Sequence, residues 1–458
     1  MMSNWFERFL DTVADTGREI IGLLDASDDR ALSDGQLCRQ LIAGHGEATN
    51  IALAREILQR WQLKNDQDKF HFLAMLAKEF DPNPEEVLQA ARVYSVDDYN
   101  SLQRLIEVIE PPRQELLRRL NMAPSGTAIL VGMRAFLLQY LRQHKELHKL
   151  DADFQHLLSS WFNRGFLQLE RIDWDTPASI LEKLIQYEAV HPMVDWDDLH
   201  RRLAEDRRCY AFFHPALPKD PLIFIEIALT ASMSSSITPL IDPTIAEVDP
   251  LQADTAIFYS INNALMGLRG VSFGNFLIKQ VAAELQKEFP KLRTFATLSP
   301  IPMMRRCFES KDLNVIEDLL RQYVEPLRKL SNKQDLLQAI DHLAGENVDP
   351  DKEGRALLEN CLQILVLYYL TNAKLDRRAY DPVMHFHLSN GARLERINLF
   401  ANMSEYGVKQ SWGCMVNYCY ESAEIGANHE AYACDGHIRM SKELERQARN
   451  LAIQTVAS

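Results

Sequence analysis

Two short segments of this 458-residue chain carry residue types that could do chemistry. Ser299 closes a compact apolar run and is followed by Pro300, with Pro302 two further on. Prolines fix the backbone, so a serine held there could present its hydroxyl in one orientation. A Ser-Pro pair also marks ordinary strand ends, and the absence of a G-x-S-x-G elbow argues against a serine hydrolase. The second segment is His385-Phe386-His387, ahead of Leu388-Ser389-Asn390-Gly391. In an extended backbone the two imidazoles would share a face and could hold a metal. A single histidine acting as acid or base is the other chemistry, and a hydrogen-bonded loop histidine the plain structural reading. Asn417-Tyr418-Cys419-Tyr420 and His214-Pro215 are lesser candidates, able to hold a carbonyl or carboxylate through neutral hydrogen bonds or simply to pack.

A glycine-bearing loop, Gly267-Leu268-Arg269-Gly270-Val271-Ser272-Phe273-Gly274, stands between a β-prone run (Ala256 to Ile261) and an amphipathic segment. Leu277, Ile278, Val281, Ala282, Leu285 and Phe289 recur there at helical spacing, while Lys279, Glu284, Lys287 and Glu288 mark the wet face, and Pro290 stops the helix. A second β-prone run, Arg293 to Leu298, leads to Ser299. Strand, crossover helix and strand of this length make a right-handed parallel unit, with ligand chemistry expected at the strands' C-terminal ends. Loop glycines entering a helix N-terminus suit a phosphate or pyrophosphate. The spacing matches neither the dinucleotide nor the nucleoside-triphosphate fingerprint, so ordinary turn glycines are the plainer reading of the motif by itself.

The chain is 47% hydrophobic and 25% charged, the balance of an ordinary globular protein long enough for two or three buried domains. Apolar runs such as Ile364 to Leu370 fall short of the roughly 20 residues a membrane span needs. The N-terminal segment is amphipathic but carries Glu7, Asp11, Asp15 and Glu19, unlike a secretory signal or transit peptide. A net charge of -14 without a basic stripe disfavours nucleic acid. Seven scattered cysteines with no CxxC pair indicate neither a disulfide framework nor a zinc site, and a cytoplasmic setting is expected.

The first third reads as helix after helix, for example Pro84 to Val93, Pro112 to Leu120 and Leu147 to Trp161. Past a transition near Leu167 to Thr176, buried-strand candidates appear at Cys209 to Phe213, Leu222 to Leu229, Ala256 to Ile261 and Arg293 to Leu298. Helices return at Leu313 to Leu330, Lys333 to Leu343 and Glu353 to Leu370; mixed strand and loop follow at Asn390 to Tyr420, and a last helix at Ser441 to Ile453. The expected class is α+β in two domains, 1–170 all-helical and 171–458 mixed.

Taken in order, Phe213-His214-Pro215 with Pro221-Leu222-Ile223, then FYSINNALMGLRGVSFGNFLIKQV, TLSPIP, FHLSNGARLERIN and MVNYCY resemble the malonyl-CoA decarboxylase family from Ile172 to about Tyr420. The helical third is similar more weakly, including Leu158-Ser159-Ser160-Trp161-Phe162. The resemblance implies a helical oligomerisation domain followed by a GNAT-like (acyl-CoA N-acyltransferase-like) catalytic domain, assembled as a homo-oligomer, usually a tetramer. It implies a catalytic serine at Ser299, a catalytic histidine at His387 rather than His385, and a supporting tyrosine at Tyr420. Leu268, Arg269, Gly270, Val271, Ser272, Phe273 and Gly274 would cradle the CoA pyrophosphate, with Asn390 and His214 also at the substrate. Malonyl-CoA is the implied substrate, with no metal and no cofactor beyond the substrate's own CoA. Met303-Met304 stand where the family commonly has Gly-Phe, and Ser272 where some members carry glutamate. A CoA-dependent acyltransferase on the same fold is the rival activity, and a catalytically silent scaffold the rival of another class.

Overall fold

The computed structural model describes residues 32–44, 46–271, 277–311, 313–345 and 352–456, with Thr12 besides. The amphipathic N-terminal segment, apart from Thr12, and the loop residues Ser272, Phe273 and Gly274 lie outside the described residues. The chain divides into two compact units. One comprises Met1–Gln168, Phe212–Ile223 and Asn263–Gly274; the other comprises Leu169–Ala211, Phe224–Asn262 and Asn275–Ser458.

The first unit is helical up to Trp161 among its described residues, as its sequence implies. Helices Pro84–Val93 and Pro112–Leu120 begin on prolines, whose missing N–H costs nothing in the first turn. Asn83 adds a side-chain cap, accepting from the Glu85 amide. Helix α1 (Gly126–Leu138) and helix α2 (His148–Trp161) carry a buried ion pair, Arg134 Nε to Asp151 Oδ1 at 2.8 Å. The same guanidinium donates to the carbonyls of Gly267 (2.7 Å) and Arg269 (2.8 Å), so α1 grips the glycine-bearing loop by its backbone. Gly267 permits this approach, because a Cβ there would collide with the carbonyl of Val131 in α1.

The second unit is built on an eight-stranded sheet. Its strands are β1 (Gln168–Ile172), β2 (Arg207–Phe213), β3 (Ile223–Thr230), β4 (Thr255–Asn263), β5 (Thr294–Thr297), β6 (Ser299–Pro300), β7 (Arg393–Asn398) and β8 (Met415–Cys419). The order is β1-β2-β3-β4-β5-β8-β6, with β7 also on β8. As the spacing implies, β4 and β5 are parallel, in register from Thr255 opposite Thr294 to Phe258 opposite Thr297. Helix α3 (Leu277–Glu288) joins them and buries Leu277, Ile278, Val281 and Leu285. Strand β8 runs antiparallel to β5, β6 and β7 and so lies at the centre of the site region. Ile257, Tyr259, Ala296, Leu298 and Met415 share one core cluster with Ile237 and Leu240.

Three readings need correction. The expected helix Leu313 to Leu330 is two helices, Leu313–Leu319 and Arg321–Ser331, which part at Leu320 (φ -103, ψ 16). The transition after Phe166 holds strand β1, five residues of which only Ile172 is buried, too short and too polar to give a strand signal. His385 and His387 lie in helix α4 (Pro382–Ser389), not in an extended segment. Asp381 caps α4 and Pro382 opens it, so residues two apart fall on different faces, which removes the shared-face metal reading. Among the described residues no cluster of metal-ligating side chains occurs, and no helix is long and apolar enough to cross a membrane.

Gly267→Ala should force α1 and the loop apart, lowering stability by about 1–3 kcal/mol, the usual cost of overpacking. Urea unfolding checks this; an unchanged midpoint would show that the close approach is not needed.

Candidate active site

Ser299 reaches its position because β5 and β6 run as two pieces along β8: Cys419 pairs Ala296, Val416 pairs Ser299 and Met415 pairs Pro300. Leu298, between the pieces, donates its amide to the Phe258 carbonyl of β4, holding the turn of the chain to the sheet. His387 reaches the same point from the last turn of α4. Its Nε2 lies 3.0 Å from Ser299 Oγ, and its Nδ1 lies 2.8 Å from the Tyr420 hydroxyl. Tyr418 stacks on the ring, centroids 4.6 Å apart and planes 24° apart. Ser299, His387 and Tyr420 are all buried.

Burial alone pushes the His387 pKa from 6.5 down to about 3, so the ring is neutral near pH 7. Burial raises the Tyr420 pKa well above its ordinary value, so the phenol keeps its proton. The cluster is thus a chain of neutral hydroxyl, imidazole and hydroxyl, able to hold an oxygen atom and to move a proton without creating a resting charge.

Asp381 ties the elements carrying Ser299 and His387 together and was not singled out by sequence beyond its place before Pro382. One carboxylate oxygen accepts from the Val383 (3.0 Å) and Met384 (3.1 Å) amides at the start of α4. The other accepts from the Tyr369 hydroxyl (3.0 Å) and the Met303 amide (3.4 Å), in the turn that follows Ser299. Burial raises its pKa against the pull of these donors. Met303 and Met304 thus meet the site through backbone and core, Met303 donating to Asp381 and Met304 fully buried.

The remaining candidates separate. Asn390 caps its own helix, donating Nδ2 to the Phe386 carbonyl at 2.8 Å, and is buried. His385 turns away to the Tyr432 hydroxyl at 2.9 Å. Asn417 is a structural bolt: it donates to the Thr297 carbonyl (2.6 Å) and accepts from Arg396 and Asn398. Cys419 is a strand residue in β8 with a burial-raised pKa of about 11. His214 belongs to the first unit, packed on Phe162 at 4.7 Å and accepting from the Ala216 amide through Nδ1. In the loop, the Leu268 and Val271 side chains are buried, whereas Arg269 and Gly270 are exposed and, among the described residues, nothing stands within 4 Å of a Cβ built on Gly270. Tyr420 also borders a cavity of about 180 Å³, with Lys279, Ala282 and Gln286 of α3 and Ser422 around it.

These features define a mixed-sheet protein with a helical N-terminal region and a neutral acid/base cluster at the junction of three strands and one helix. The chain belongs to the malonyl-CoA decarboxylase family: the model of the malonyl-CoA decarboxylase C-terminal domain matches residues 165–457, and that of the N-terminal domain residues 80–162. It is 36% identical over 351 residues to the mitochondrial malonyl-CoA decarboxylase of Anser anser anser, covering 73% of this chain and 69% of that protein. The crystal structure of malonyl-CoA decarboxylase from Rhodopseudomonas palustris is similar at a TM-score of 0.82 and 42% identity, over 91% of this chain and 100% of that one. That from Agrobacterium vitis gives 0.80 and 42%, over 91% and 99%.

Two outcomes follow. The folded pKa of His387 lies below its unfolded 6.5, so the unfolded chain takes up a proton the folded one refuses as pH falls from about 6.5 toward about 3. Stability drawn from this source is complete above pH 6.5 and lost below it, with a slope of at most about 1.4 kcal/mol per pH unit. Urea unfolding at pH 5 and 7 should show a smaller pH dependence in His387→Gln than in the wild type; equal dependence would contradict a ring held neutral. Asp381→Ala should cost about 2–4 kcal/mol, combining a lost cap with buried donors left unpaired, and should lower kcat as well. Unaltered kcat in the folded variant would show that the clamp does not position the site.

Proposed function

We propose that this chain is a malonyl-CoA decarboxylase, a carboxy-lyase that converts malonyl-CoA to acetyl-CoA and CO2. The observation that carries the reading is the buried Ser299–His387–Tyr420 chain in a member of this family. Loss of CO2 from a malonyl thioester leaves an enolate, which needs hydrogen-bond donors at the thioester oxygen and then a proton on carbon. Ser299 bonds the carboxylate or the thioester oxygen, His387 handles the proton, and Tyr420 holds the ring through Nδ1. No protein group in this sequence of steps has to be ionised at rest, and none calls for a metal or an added cofactor.

The loop Leu268 to Gly274 takes the CoA pyrophosphate. The exposed backbone at Gly270 and the grip of Arg134 on the carbonyls of Gly267 and Arg269 support this assignment. The helical region serves assembly into a homo-oligomer, with a tetramer as the form. Its support is a set of exposed apolar side chains on helices Pro84–Val93 and Tyr99–Ile109, among them Leu88, Val93, Tyr99, Ile106 and Ile109. The seven cysteines are unpaired thiols, which suits a reducing cytoplasm, although the animal relative carries a mitochondrial name.

Purified protein given malonyl-CoA, with chelator and without an acyl acceptor, should release acetyl-CoA and CO2. Ser299→Ala and His387→Ala should each lower kcat by about 10²–10⁴-fold, the usual worth of positioned acid/base groups. Product formed only when an amine is added would identify an acyltransferase, and full activity in both variants would place the site elsewhere.

A further inference from the structure

Thr297 is fully buried two residues before Ser299, at the end of β5, and its hydroxyl has two neighbours. The Tyr418 amide donates to Thr297 Oγ1 at 3.1 Å, and Ser299 Oγ lies 2.8 Å from it in donating geometry. Its backbone carbonyl is bolted by Asn417 Nδ2 at 2.6 Å, so the residue cannot swing away. A serine hydroxyl has one proton to give. If that proton points at Thr297 Oγ1, then Ser299 Oγ can meet His387 Nε2 only as an acceptor, the ring proton must sit on Nε2, and Nδ1 must accept from Tyr420.

We propose that Thr297 is a positioning residue that sets the direction of hydrogen bonding through the site: Tyr420 O–H to Nδ1, Nε2–H to Ser299 Oγ, and Ser299 O–H to Thr297 Oγ1. In this resting order His387 is a proton donor to Ser299 Oγ, and Ser299 is not deprotonated by it. With substrate present the Ser299 hydroxyl turns from Thr297 to the substrate. Its proton forms the new C–H bond at the enolate carbon as the Nε2 proton passes to Ser299 Oγ and the Tyr420 proton passes to Nδ1. The resulting phenolate takes a proton from water, which leaves as hydroxide. The catalytic consequence rests on the decarboxylase reading; the tautomer does not.

Nitrogen-15 NMR of the full chain, labelled at histidine and assigned by subtraction of His387→Gln, reads the tautomer directly near pH 7.5. The wild type should show the proton on Nε2. Thr297→Val has nearly the same shape but removes the acceptor, so the Ser299 proton should turn to Nε2 and the ring proton move to Nδ1. That variant should lose about 10- to 100-fold in kcat with KM for malonyl-CoA within about 2-fold, the pattern of a group acting in the transition state, and Thr297→Ser should restore both signal and rate. A wild-type ring protonated on Nδ1 overturns the proposal even if no variant folds. A Thr297→Val protein with the proton still on Nε2 does so too. Absent turnover in a wild type with the proton on Nε2 would defeat the decarboxylase reading and leave the assignment of hydrogen-bond direction standing.

Discussion

A neutral imidazole with hydroxyls on both ring nitrogens is the constraint around which the second unit is arranged. The cost of keeping charge out of a buried site falls on the ring itself, and burial is the sole cause of its depressed pKa. No carboxylate among the described residues hydrogen-bonds His387, so nothing favours the imidazolium at rest. That distinguishes the cluster from a serine, histidine and carboxylate arrangement, in which the third group stabilises the charged ring as the serine is deprotonated. Here the third group is a phenol, which can donate to or accept from the ring but does not bring charge.

A site of this kind has to be held by its surroundings, because hydrogen bonds between neutral groups weaken steeply when geometry slips. Two buried side chains supply that rigidity. Asp381 joins the start of α4 to the turn after Ser299, and Asn417 joins β8 to the end of β5 and to the Arg396 and Asn398 side chains of β7. Tyr418 fixes the ring plane by stacking. Gly391, at φ +81 just past α4, lets the chain turn where a Cβ would strike the Ile425 carbonyl.

The parts of this arrangement differ in how readily the sequence discloses them. Helix α3 is plain from periodicity, because one face is buried over a dozen residues, and strands β4 and β5 are plain as short apolar, β-prone runs that are buried almost throughout. The choice of His387 over His385 came from family resemblance alone; α4 is eight residues long with apolar groups all round, too short for a period to show, although Asp381-Pro382 is a helix-start signal that could have found it. Asp381, Thr297 and Asn417 act through tertiary contacts that bring together residues about 80 to 120 positions apart, and nothing local marks those contacts. Arg134 is similarly silent: an arginine in an otherwise apolar helix, its role visible only when the loop more than 130 residues later lies against it.

The neutral cluster also weighs one chemistry against another. Acyl transfer to an amine or alcohol requires a base strong enough to take the acceptor's proton, and a ring with a pKa near 3 is a weak one at pH 7. Decarboxylation asks for the reverse. Its leaving group departs as CO2 without help from a base, its enolate is stabilised by donors, and its final step consumes a proton. Under the proposed activity, burial would disfavour the ionised carboxylate of the substrate more than the enolate, whose charge is spread over carbon and oxygen, so the dryness that keeps His387 neutral would also lower the barrier to losing CO2. Low polarity around hydroxyl and imidazole donors would therefore, under that activity, favour the loss of CO2 and oppose base-assisted acyl transfer.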